Sequence, residues 1–128
     1  MRLPCELVVF ELLPTARGEL AKELVRAHGY TQARVAGLFG VTSAAISQYI
    51  KGLRGGNPYI DGSKYCNAFY QEIFASAERI VNGADVTDEL CELCNYVKRV
   101  GMLDEIYLMQ GAVEELKKCR ECPRDNLY

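Results

Sequence analysis

"YTQARVAGLFGVTSAAISQYIKG", residues 30–52, is the stretch whose reading decides the fold. Two short helical patterns flank Gly40. Thr31 is placed to cap the first, which runs to Phe39, and Thr42 to cap the second, which ends near Gly52. Gly40 falls where the chain must turn sharply, and glycine tolerates the positive φ of such a corner. Ala33, Ala36 and Leu38 give the first helix a small inner face that lets a second helix approach. Val41 is expected to plug the corner, and Ile46 and Ile50, four apart, to anchor the second helix in the core. Two helices joined by a tight glycine-containing turn have the spacing of a helix-turn-helix. The alternative is an ordinary helical hairpin with a surface of small residues.

The outward residues of the second helix carry little charge. Thr42, Ser43, Ala44, Ser47 and Gln48 lie on its N-terminal and outer face, the face that enters the DNA major groove in a helix-turn-helix. Gln can pair bidentately with adenine, Ser and Thr can bond to either base, and Ala and Thr methyls can touch the thymine methyl. Lys51 and Arg54 follow at positions suited to phosphates. Gln32, at the start of the first helix, is a further phosphate candidate, because helix N-termini attract anions.

Outward from this stretch the whole chain reads as all-α. The 128 residues suit one compact domain or a small module with an elaborated tail, and 49% hydrophobic residues suffice for a core. Leu7 to Leu12 could form a short helix that Pro14 either interrupts or follows by opening the next one. Thr15 to Ala27 carries Ala16, Leu20, Leu24 and Ala27 on one face. "LRGGNPYIDGS", residues 53–63, is the clear linker, with three Gly and one Pro. A helix over residues 63–82 follows, with Phe69, Ile73, Ala77 and Ile80 at helical spacing. Thr87 is expected to cap the next, which stops at Gly101, with Asp88 and Glu89 in its first turn where the helix dipole favours anions. Asp104 starts the last helix, with Ile106, Met109, Val113 and Leu116 facing inward. The organisation expected is a DNA-binding domain over residues 1–55, a linker over 56–62, and a helical dimerisation and metal-binding region over 63–128.

Charge follows the same division. The net charge is −2 overall, with +3 in residues 1–60 and −5 in residues 61–128, an asymmetry compatible with a nucleic-acid module joined to a different one. No apolar run approaches the roughly 20 residues of a membrane span. The N-terminal stretch is broken by Glu6 and Glu11 and lacks the marks of a signal peptide, so a cytoplasmic protein is expected.

The six cysteines are Cys5, Cys66, Cys91, Cys94, Cys119 and Cys122. Four form two C-x-x-C pairs separated by residues 95–118. In a cytosolic protein such pairs read as a metal site, since two thiolates three apart bite one centre and two bites complete a tetrahedral set. The spacer exceeds that of a zinc ribbon, neither pair is followed by Gly, and Cys122 precedes Pro123 as in the ferredoxin motif. These features favour a 4Fe–4S cluster over Zn2+, which the same four thiolates would also satisfy. Lys117, Lys118, Arg120 and Arg124 would offset thiolate charge, or simply form a solvated basic end. Cys66 reads as a packed structural thiol, and Cys5 as a further ligand if the N-terminus returns to the centre. His28, the one histidine, sits at a helix end, and no catalytic constellation stands out, so an enzyme is not expected.

"TQARVAGLFGVTSAAISQYIKGLRG" resembles the Cro/repressor-type (XRE) helix-turn-helix. Together with "PCELVVFELLPTARGELAKELV" before it, and "LCELC" and "CREC" after it, it is similar to a group of predicted archaeal transcriptional regulators with a cysteine-rich C-terminal extension. The resemblance covers most of the chain. It implies a sequence-specific regulator that binds double-stranded DNA, usually as a homodimer. One departure is Ser43, where many such proteins carry Gln. The competing expectations are a protein-interaction module with a structural zinc site, and a metal-free thiol switch.

Overall fold

The computed structural model describes residues 12–51 and 57–109. Seven helices and no strand occur among the described residues: α1 (Leu13–Arg26), α2 (Gln32–Phe39), α3 (Ser43–Lys51), α4 (Pro58–Asp61), α5 (Cys66–Val81), α6 (Val86–Arg99) and α7 (Met102–Met109). None of them is long and apolar enough to cross a membrane.

Pro14 lies in the first turn of α1, where its fixed φ and missing N–H are tolerated; residues 7–11 of the short helix expected before it lie outside the described residues. Ala16, Leu20, Ala21 and Leu24 are all buried to 1% exposure or less. They span more than one face, because α1 packs against α3 and α5 and also touches α2 and α6. This wide burial takes in Glu19 and Lys22, which satisfy each other at 3.2 Å. A buried charge left unpaired would be strongly destabilising.

The turn between α2 and α3 forms as its sequence dictates. Thr31 Oγ1 accepts the Arg34 N–H at 3.1 Å, and Thr42 Oγ1 accepts the Ala45 N–H at 3.1 Å. Gly40 adopts φ +67°, which lets its own N–H and that of Val41 donate to the Ala36 carbonyl. Packing around the turn differs from expectation. Val35 and Ala36 are buried, with Phe39 packed against them, whereas Ala33 and Leu38 are exposed. Positions i, i+1 and i+4 share the inner arc of a helix, and Leu38 falls off its edge. Val41 does not plug the corner, being 36% exposed. Ile46 is fully buried and Ile50 half-buried. Arg26, at the end of α1, donates from Nη2 to the Ile50 carbonyl at 3.0 Å. That bond satisfies one of the carbonyls a helix end leaves open and ties α3 to α1.

The stretch expected as a linker carries α4 at residues 58–61. Asn57 Oδ1 accepts the Tyr59 and Ile60 N–H groups at 3.0 and 3.2 Å, Pro58 fills the first turn, and Ile60 is fully buried. Ser63 is not the start of α5 but a buried turn residue. Its hydroxyl donates to Glu105 Oε2 at 2.9 Å, while Glu105 Oε1 accepts the Lys64 N–H at 3.0 Å. Helix α5 therefore begins at Cys66. Helix α6 begins at Val86 because Asp85, not Thr87, is its cap: Asp85 Oδ2 accepts the Asp88 N–H at 3.1 Å. Arg79 clamps α5 to α6 through Glu89 at 2.7 Å and also donates to Ser76 at 3.2 Å. Gly101, at φ +93°, makes the sharp turn after which α7, starting at Met102 rather than Asp104, packs against α6. Ile106 is buried as expected. Val113 and Leu116 lie outside the described residues.

Two glycines should respond oppositely to alanine. At Gly40 a Cβ meets left-handed strain, so Gly40→Ala lowers stability by about 1–2 kcal/mol. Gly18 lies inside α1, where an added Cβ would meet nothing within 4 Å, so Gly18→Ala raises stability by roughly 0.5–1 kcal/mol. Urea unfolding midpoints of the two variants check both signs.

Candidate nucleic-acid interface and cysteine cleft

Two features stand out from the packed helices. The first is the outer face of α3. At 100° per residue, positions 43, 44, 47, 48 and 51 fall within one arc of about 140°. Ser43, Ala44, Gln48 and Lys51 are exposed and Ser47 is half-buried, while the buried Ile46 lies outside the arc and the half-buried Ile50 borders its edge. Thr42 is exposed at the N-terminal edge of the arc. The sequence-expected residues thus come together on one surface. Gln32 is exposed in the first turn of α2. Arg54 lies outside the described residues.

Sequence reasoning passes over Arg34. Its guanidinium lies 4.0 Å from the centroid of the Tyr30 ring, and the residue is exposed near Gln32. The i, i+4 spacing of an aromatic and an arginine is the available signal. Such stacking holds the guanidinium over the ring and leaves its edge free for an acceptor. Neither α2 nor α3 has an acidic residue in its first turn, so nothing there opposes the partial positive charge of a helix N-terminus.

The second feature is a cleft of about 270 Å³ between α1, α2 and α6. Leu13 and Arg17 form one side, Leu38 and Phe39 of α2 another, and Leu90, Cys91 and Cys94 of α6 a third. Thr87, expected as a cap, instead sits within α6 and lines this cleft. Cys91 and Cys94 are both half-buried. A separation of three places them one above the other on a helix face. Leu38, left exposed by the packing of α2, meets the cysteine helix across this cleft.

No family model, curated protein or solved structure matches the chain. The site therefore rests on its own geometry.

Among the described residues no three His, Cys, Asp or Glu side chains converge as a metal-binding group. Cys91 and Cys94 offer two donors, which fits half of a four-thiolate centre. Cys119 and Cys122 lie outside the described residues, as does Cys5. Cys66 is half-buried and packs against the core, as a small apolar side chain does. His28, also half-buried, has Nε2 3.8 Å from the Glu78 carboxylate. Tyr96 lies two residues past Cys94, on the other side of α6. Burial, and then the Glu72 carboxylate, push its phenol pKa above the ordinary value, so it presents a neutral hydroxyl.

Removing the α3 cap should be visible locally. Thr42→Ala is expected to cost roughly 0.5–2 kcal/mol and to accelerate hydrogen exchange at the Ala45 amide. Unchanged exchange there would count against the capping bond.

Proposed function

We propose that this chain is a sequence-specific, DNA-binding transcriptional regulator. It acts as a cytoplasmic homodimer with a metal centre on Cys91, Cys94, Cys119 and Cys122. The observation that carries the reading is the α3 surface: exposed small and polar side chains on one arc, backed by the buried Ile46. Small residues let a helix approach base edges closely, and Gln48 supplies the side chain best suited to adenine. Ser43, Ala44 and Ser47 meet the groove wall, and Thr42 lies at the helix end that enters it. Gln32 and Lys51 face the phosphates, which fix register without reading sequence, and Arg54, outside the described residues, is a further phosphate candidate. Symmetric half-sites about 34–36 Å apart would match a dimer.

The four-thiolate set favours a 4Fe–4S cluster, with Zn2+ as the alternative. Such a cluster supplies one-electron redox chemistry and sensitivity to oxidants. The chain's own residues would hold it, Cys91 and Cys94 from α6, and Leu38 and Phe39 across the cleft belong to the helix that precedes α3. The regulator would in that way respond to redox or cluster status.

A protein-interaction module with a structural zinc site is the second reading. Exposed Leu38 and Val41, at 44% and 36%, favour it, since apolar side chains beside a turn suit a protein partner better than DNA. The two readings differ in their response to salt. Selection from a random duplex pool should yield a preferred sequence bound with a steep inverse salt dependence. Gln48→Ala should weaken binding to it by roughly 1–3 kcal/mol. Absence of salt-dependent duplex binding would favour the interaction module. Protein purified without oxygen should carry about four iron and four sulfide per chain, whereas about one zinc per chain would make the cysteines a structural clip.

A further inference from the structure

We propose that the cleft between α1, α2 and α6 binds a small amphipathic carboxylate, one anionic head on an apolar body. Such a ligand site goes beyond DNA recognition, and it uses neither cysteine thiol.

The walls of the cleft are apolar and incompletely covered. Leu13, Phe39 and Leu90 are half-buried and Leu38 is 44% exposed, yet all four border the same space of about 270 Å³. That volume lies just below the usual range of small-molecule pockets, so it admits a short tail or a single ring system. Apolar side chains gathered around one concave space, rather than scattered singly, leave surface that an apolar ligand would take out of water.

Charge selects the head. Of the nine side chains that border the cleft, Arg17 alone is charged. It is exposed and makes no ion pair among the described residues. No acid competes for it on the walls. Helix α2 contains none. On α6 the lining residues Val86, Thr87, Leu90, Cys91 and Cys94 share one arc. Asp88, Glu89 and Glu92 lie about 130–170° round the helix from its centre, at 100° per residue. Glu89 is in any case held by Arg79 at 2.7 Å. On α1, Glu19 and Glu23 lie about 100–140° from the Leu13–Arg17 edge, and Glu19 is held by Lys22. Thr87, also on the wall, adds a hydroxyl that can donate to the same head.

A single guanidinium matches a single negative charge. A phosphate monoester carries about −1.5 to −2 at neutral pH, which would leave part of its charge without a cation. A carboxylate carries one charge and fits the planar fork of arginine. The body then lies against Leu38 and Phe39, the last residues of α2 before the turn at Gly40, so binding bears on the approach to α3.

The test is two-dimensional NMR of the full-length protein, with its metal content as purified, titrated with octanoate. Saturable shifts are expected at Leu13, Leu38, Phe39 and Leu90. The uncharged 1-octanol should shift the same residues with roughly fivefold weaker affinity, and acetate, which has the charge without the tail, should shift none. Arg17→Gln, at an exposed site, should weaken octanoate binding roughly fivefold, the upper end for an exposed ion pair, and leave 1-octanol binding unchanged. Leu38→Glu, which sets a carboxylate on the opposite wall, should abolish octanoate binding. Absence of saturable shifts at up to millimolar octanoate, or shifts that map away from the cleft, would overturn the proposal. Equal affinity for octanoate and 1-octanol, or indifference to Arg17→Gln, would overturn it too. In the ligand-free protein, nuclear Overhauser contacts from the Leu38 methyls to residues 1–11 or 110–128 would make the chain itself the occupant. Shifts at Leu38 that depend on protein concentration would make a second copy the occupant. Either result overturns the carboxylate. The readout contains no DNA, so a failure of DNA recognition leaves it standing.

Discussion

The burial of α1 on more than one side is the constraint on which the other helices depend. Leu20, Ala21 and Leu24 are each at 0% exposure, and they face different neighbours because α3 and α5 press on α1 from different directions. The small Ala16 and Ala21 let those helices come close. The same crowding draws Glu19 and Lys22 under cover, where their mutual contact makes them tolerable. Arg26 then extends the influence of α1 to the C-terminal end of α3. Helix α1 therefore sets where α3 stands, and with it the orientation of the exposed arc from Ser43 to Lys51.

Because α1 also packs on α5 and α6, the α2–α3 pair and the cysteine helix are built around one continuous set of buried residues, from Leu12 to Tyr107. The cleft occurs where that packing is incomplete. Leu38 has no buried place in α2, and Cys91 and Cys94 lie on the flank of α6 that faces it. Packed cores respond to local changes by shifting elements rather than by deforming smoothly. A change in what the cysteines hold would thus be felt first at the end of α2, one turn away from the cap of α3.

Much of this is legible in the sequence where local chemistry alone decides. The caps at Thr31 and Thr42, the turn at Gly40 and the buried Ile46 follow from short-range rules. Local rules fail where distant or neighbouring residues compete. Asp85 takes the cap of α6 from Thr87, two residues earlier, because its carboxylate reaches the Asp88 N–H. Ser63 is drawn out of α5 by Glu105, forty-two residues away, which no local pattern reveals. The Gly-rich stretch reads as linker, although Asn57 and Pro58 are good helix-opening residues and Ile60 is a good core residue. Leu38 and Val41 read as inward because they are apolar, yet helical spacing gives the inner arc to Val35, Ala36 and Phe39. The pairing of the cleft with the cysteine helix needs the three-dimensional packing of α1, α2 and α6, which has no signature in any single segment.

On the proposed reading, the cysteine helix and the α3 surface are parts of one device. The most direct measurement compares the affinity of metal-loaded and metal-free protein for one selected duplex at fixed salt, with folding of both forms verified. Coupling through the cleft predicts affinities that differ several-fold between the two forms, with non-specific duplex binding much less affected. Equal specific affinity in the two forms would contradict it and leave the cysteines without a role in DNA recognition.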